Sequence, residues 1–80
     1  AIEAAEELLR KKGFGLLRVR SHGDVARIEL GPAEMKEFVK LQRQWPKISE
    51  AIKSLGWKFV TLDLEGFTSG SLNRVLRKKI

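Results

Sequence analysis

Residues Leu16 to Leu30, LLRVRSHGDVARIEL, read as two short strands joined by a tight turn. With His22-Gly23 as a two-residue loop, the expected partners are Ser21 with Asp24, Arg20 with Val25, Val19 with Ala26, Arg18 with Arg27 and Leu17 with Ile28. Strand side chains alternate between faces. Leu17, Val19, Ala26 and Ile28 therefore fall on one side, and Arg18, Arg20, Val25, Arg27 and Glu29 on the other. The first set is core. The second poses a problem, because like charges directly opposed across a sheet are destabilising. Arginines crowded near His22 make chemical sense if an anion or a carboxylate sits among them, since the planar guanidinium fork matches phosphate and carboxylate bidentately.

Working outward on the N-terminal side, residues 1–12 are rich in helix formers. Ile2, Ala5, Leu8, Leu9 and Lys12 have the spacing of a one-sided helix. Glu3, Glu6 and Glu7 come early and Arg10, Lys11 and Lys12 late, as the helix dipole favours, and Gly13 ends the helix. On the C-terminal side, Gly31-Pro32 closes the second strand and Pro32 starts a helix to about Gln44, with an apolar stripe of Met35, Phe38, Val39, Leu41 and Trp45. Trp45-Pro46 is expected to interrupt it. A further helix over about 46–55 uses Ile48, Ala51, Ile52 and Leu55. Trp57 to Glu65, WKFVTLDLE, reads as a third strand, with Val60, Leu62 and Leu64 inward and Phe59, Thr61, Asp63 and Glu65 outward.

The order α-β-β-α-α-β predicts a small two-layer α+β sandwich: a three-stranded sheet with helices on one face, like a ferredoxin-like unit lacking its first strand. Residues 1–66 form the single domain, and residues 67–80 a Gly/Ser loop and basic tail. Eighty residues suffice for one small core. The chain opens at Ala1 without a methionine, so it is expected to be part of a longer protein. No apolar run approaches the ~20 residues that span a bilayer, and no membrane partner is expected. With no cysteine there is no disulfide framework, thiolate nucleophile or cysteine-based zinc site, and a cytoplasmic setting is expected.

A net charge of +6 suggests anionic partners. Part of that excess, at the ends of the first helix and of the chain, follows from the helix dipole alone. Two accounts of the charged face stand on the residues alone. In one, Arg18, Arg20 and Arg27 merely pair with Glu29, Asp63 and Glu65 on a solvated surface. In the other, the face docks on a partner and gives arginines to a phosphate site and carboxylates to a positioning or metal role. His22 suits a turn residue better than a catalyst. RNA is the rival polyanion, but RNA-binding sheets display several stacking aromatics, and this face offers only Phe59.

RVRSHGDVARIE, residues Arg18 to Glu29, followed by FVTLDLEGFTSGSLN, residues Phe59 to Asn73, resembles the C-terminal region of the ATP-dependent sacrificial sulfur transferases, relatives of the N-type ATP pyrophosphatases. Their motifs read approximately RVRxHGxxARIE and Y/FVTLDLxGYRSGSMN. The resemblance implies a PP-loop parent that adenylylates a carboxylate of a pyridinium mononucleotide and inserts sulfur from a cysteine or an iron–sulfur cluster. Its product serves the nickel-pincer cofactor of lactate racemase. The nucleotide-binding SGGxDS loop is absent here, so ATP and magnesium are implied for an N-terminal domain of the same chain, and this piece is expected to be non-catalytic. Carried over, Arg18 and Arg20 grip the substrate phosphate. Glu29 is a nearby carboxylate and a candidate metal ligand, with Arg27, His22, Asp63 and Glu65 as supporting residues. Thr68 stands where the family has arginine, and Leu72 where it has methionine. The expected partners are that ATPase domain, the mononucleotide and further copies in a homo-oligomer. A small RNA- or polyanion-binding module and a purely structural oligomerisation domain are the alternatives.

Overall fold

The computed structural model of the chain describes residues 1–67. Thr68, Leu72 and the basic tail lie outside the described residues. The elements run α1 (Ile2–Lys11), β1 (Leu17–His22), β2 (Val25–Leu30), α2 (Pro32–Lys40), a 3₁₀ turn (Gln42–Gln44), α3 (Trp45–Lys53) and β3 (Phe59–Leu62). This is the expected α+β class. The sheet order is β1-β2-β3, with β1 antiparallel and β3 parallel to β2. β3 returns parallel because the helical crossover carries the chain back to the starting end of β2.

The hairpin register differs from the expected one by two residues. His22 pairs with Val25, Arg20 with Arg27, Arg18 with Glu29 and Leu17 with Leu30. The cause is the turn. A His22-Gly23 loop of the primed type would force the histidine to a positive φ, whereas a Gly23-Asp24 loop gives that place to Gly23, at φ +56°. Asp24 then anchors the entry to β3, its carbonyl accepting the N–H groups of Lys58 and Phe59 at 2.8 and 3.0 Å.

A shift of two leaves every side chain on its face. Leu17, Val19, Ala26, Ile28 and Leu30 still point inward, where they pack with Ala5 and Leu9 of α1, Phe38 of α2, Ile48 and Ile52 of α3, and Phe14 and Trp57. Trp57 lies before the strand rather than in it, and its indole N–H donates to Ser21 Oγ at 2.9 Å. β3 stops at Leu62, so Leu64 is 89% exposed instead of inward. Ile2 and Val39, expected in apolar stripes, are also exposed.

The break between the two later helices comes at Leu41, before the expected Trp45-Pro46. Trp45 keeps helical angles (φ −54°, ψ −45°) although a proline follows. Its ring stacks on Phe38 at 5.5 Å between centroids and its indole N–H donates to the Phe38 carbonyl at 2.9 Å. That tertiary contact outweighs the local preference for extended backbone before proline.

Side chains also secure the β1 end of the hairpin. The outward N–H of Val19 donates to Glu6 Oε2 at 3.0 Å, which occupies an edge donor that would otherwise invite another strand. The N–H of Leu16 donates to Glu34 Oε2 at 2.8 Å. The Glu34 carboxyl is held below its ordinary value first by that bond, then by its own amide, with Gly15 adding to them and desolvation opposing.

Candidate functional site

The face turned away from the helices carries Arg18, Arg20 and His22 of β1, Val25, Arg27 and Glu29 of β2, and Phe59 and Thr61 of β3. Glu29 is only 7% exposed, and it is the buried charged residue among those described. Its Oε2 accepts a hydrogen bond from Arg27 Nη2 at 3.0 Å and lies 3.5 Å from Arg20 Nε. Arg27 Nε in turn lies 3.6 Å from Asp63 Oδ2, just past the end of β3. A line of alternating charge, Arg20–Glu29–Arg27–Asp63, thus crosses all three strands. It also answers the like-charge problem, since Arg20 and Arg27 are opposed in register but share the carboxylate of Glu29, two residues along β2 from Arg27 and diagonal to Arg20. Both Nε donors are buried without a hydrogen bond, so these two contacts are ion pairs by distance alone.

Arg18 is held differently. It faces Glu29 in register, yet its guanidinium lies over the Phe67 ring, 4.9 Å from the centroid. The loop after β3 makes this contact. Asp63 N–H extends the ladder to the Ile28 carbonyl at 2.8 Å, and the Asp63–Gly66 turn closes at 3.1 Å. Asp63 Oδ1 accepts the Glu65 N–H at 2.9 Å. Phe67 N–H then returns to the Leu30 carbonyl at 2.8 Å. Gly66 has φ +80°, and a Cβ there would lie 2.6 Å from the Leu30 oxygen, so only glycine brings the chain back to this point.

Chemically, the face offers guanidinium donors in two settings. Those of Arg20 and Arg27 are oriented by carboxylates; that of Arg18 lies over the Phe67 ring, a contact with the ring's π face that uses none of its N–H hydrogen-bonding capacity. Among the described residues the terminal nitrogens of Arg18 and Arg20 make no hydrogen bond. Two residues along a strand separate these arginines by about 7 Å, a span that a phosphate's oxygens bridge.

No protein-family model matches the chain. Over 77 residues, 96% of the chain, it is 44% identical to a pyridinium-3,5-bisthiocarboxylic acid mononucleotide synthase of Lactiplantibacillus plantarum. The chain belongs to this synthase's family, the sacrificial sulfur transferases. It is also 45% identical over 74 residues to a protein of Synechocystis sp. described as uncharacterized. The chain spans 27% of the length of each of these curated relatives.

Within this fold, Arg18, Arg20, Arg27, Glu29 and Asp63 come together as a group. His22 does not join them: exposed at the far end of β1, it stands about 13 Å along the strand from Arg18. Glu65 lies exposed in the turn after β3. Glu29 Oε2 is turned to two guanidinium groups, and among the described residues no three of His, Asp and Glu gather as a metal-binding cluster. Sequence reasoning missed Phe67, reading residues 67–80 only as a Gly/Ser loop and basic tail. The available signal was an aromatic residue directly after a glycine, one strand across from an unpaired arginine. No helix among the described residues is long and apolar enough to cross a membrane.

Proposed function

We propose that this chain is the non-catalytic C-terminal domain of an ATP-dependent sulfur transferase acting in the cytoplasm. In this reading it packs against a PP-loop ATPase domain, supports the parent's oligomerisation, and contributes Arg18 and Arg20 to the phosphate of a pyridinium mononucleotide. The supporting observation is the pair of arginines on one strand face, one resting on Phe67 and the other steered by buried Glu29, whose terminal nitrogens make no hydrogen bond among the described residues. Glu29, Arg27 and Asp63 serve as the frame that holds this pair in place. ATP and magnesium belong to the partner domain.

The test uses the full-length parent protein and compares nicotinic acid mononucleotide with its unphosphorylated nucleoside. A charge-assisted hydrogen bond contributes about 1.5–3 kcal/mol, so Arg18→Ala is expected to weaken mononucleotide binding by roughly 10- to 100-fold and to leave nucleoside binding unchanged. Equal binding of both ligands by wild type and variant would overturn the reading. Tighter binding of short single-stranded RNA than of the mononucleotide, falling steeply with salt, would favour a polyanion-binding module instead.

A further inference from the structure

The segment from Asp63 to Phe67 spends a side-chain-capped turn and an obligatory glycine on one result: it sets an aromatic ring against Arg18. The ring is tied to the sheet through its own backbone, because Phe67 N–H bonds the last carbonyl of β2. Its partner Arg18 has Glu29 directly opposite in register, but the ion pairs of that carboxylate run from Oε2 to Arg20 and Arg27. The structure thus separates two ways of fixing a guanidinium. A carboxylate holds it by the N–H edge and competes with any incoming anion. An aromatic face holds it from behind and leaves the donors presented outward.

Building on the phosphate-site reading above, we propose that Phe67 is a positioning residue that lays the Arg18 guanidinium flat and aims its N–H edge at the ligand's phosphate. Arg18 is then the residue that discriminates phosphorylated from unphosphorylated ligand, and Arg20, with its Nε committed to Glu29, is the secondary contact. Discrimination on this face depends on the ring's π-electron density, not only on its bulk.

The experiment measures dissociation constants of nicotinic acid mononucleotide and its nucleoside for the full-length protein and its variants. Phe67→Leu is expected to weaken mononucleotide binding about fivefold, without moving nucleoside binding, and Phe67→Tyr to restore it. In an Arg18→Ala background Phe67→Leu should have no further effect. Should the leucine variant not fold, phenylalanine analogues of rising fluorination at position 67 preserve shape while draining the ring face. Mononucleotide affinity should then fall stepwise along that series. If Arg18→Ala abolishes phosphate discrimination while the fluorinated series stays flat, the role of Phe67 is overturned and the phosphate reading stands. If Arg18→Ala leaves discrimination intact, the phosphate reading itself fails and takes this role with it.

Discussion

Removing the Glu29 carboxylate tests whether the charged face is a cooperating frame or a set of independent surface pairs. Glu29→Ala leaves Arg20 and Arg27 opposed across the hairpin with nothing between them. Breaking a fully buried ion pair costs about 3–5 kcal/mol, whereas an exposed one is worth roughly 0–1 kcal/mol. Here the carboxylate side chain is 9% exposed and its two cations 43% and 37% exposed. Solvent screening of the cations places the expected loss between those limits, at about 2 kcal/mol. With a urea slope of about 1 kcal/mol/M for so small a domain, the unfolding midpoint should fall by about 2 M. Glu29→Gln keeps the shape and an acceptor oxygen, so it should lose about half as much, and the loss should shrink as salt is added. The assay is urea denaturation at low and high salt, with Arg27→Ala completing a double-mutant cycle. A Glu29→Ala midpoint within about 0.3 M of wild type, or no coupling between positions 27 and 29, would refute the argument.

Three other outcomes follow from the fold. Gly66→Ala meets both a positive φ and a Cβ 2.6 Å from the Leu30 carbonyl oxygen; it should destabilise by about 1–3 kcal/mol in thermal melts and weaken the Arg18–Phe67 contact. Ile52→Ala, at a fully buried position of α3, should cost about 2–5 kcal/mol, enough to unfold much of a small domain at 25 °C by circular dichroism. Glu34 has a carboxyl depressed below its ordinary 4.5, so its stabilising effect is fully present above that pH and is lost as pH falls through the folded value. Urea midpoints of wild type and Glu34→Gln should therefore differ most above about pH 4.5 and converge in more acid buffer.

The inward set of the hairpin was legible because a period of two survives an error of two. Placing the loop at His22-Gly23 misassigned every partner in the strand pair and still sorted each side chain correctly, since only an odd slip exchanges faces. Helix positions were legible for the same kind of reason, from spacing and from Gly13 and Pro32 at the ends. What spacing could not supply was tertiary. Trp45 stays helical before a proline because its indole finds the Phe38 ring and carbonyl, contacts that no local rule contains. Leu64 continues the strand alternation in sequence, but Asp63 and Gly66 turn the chain before it can be used.

The candidate site shows the same division between pattern and partner. Alternation alone assigned the arginines and Glu29 to one face, and the opposition of like charges signalled that something must lie between them. The pattern offered Glu29, Asp63 and Glu65 for that place, or an outside anion, and could not choose between them. With the expected register Arg18 would face Arg27, and internal pairing and an outside anion answered the three cations equally well. In the observed register Arg20 and Arg27 share a carboxylate from within the sheet, so the demand for an external anion narrows to Arg18 and to the remaining donors of Arg20. Among the described residues, Arg18 is also the cation set against a ring rather than a counter-charge. An arginine neutralised internally stabilises the sheet; one supported without being neutralised stays available to bind. The two fates of neighbouring arginines on a single strand are therefore the structural basis for reading this face as a frame with one outward-facing contact, rather than as a diffuse positive patch.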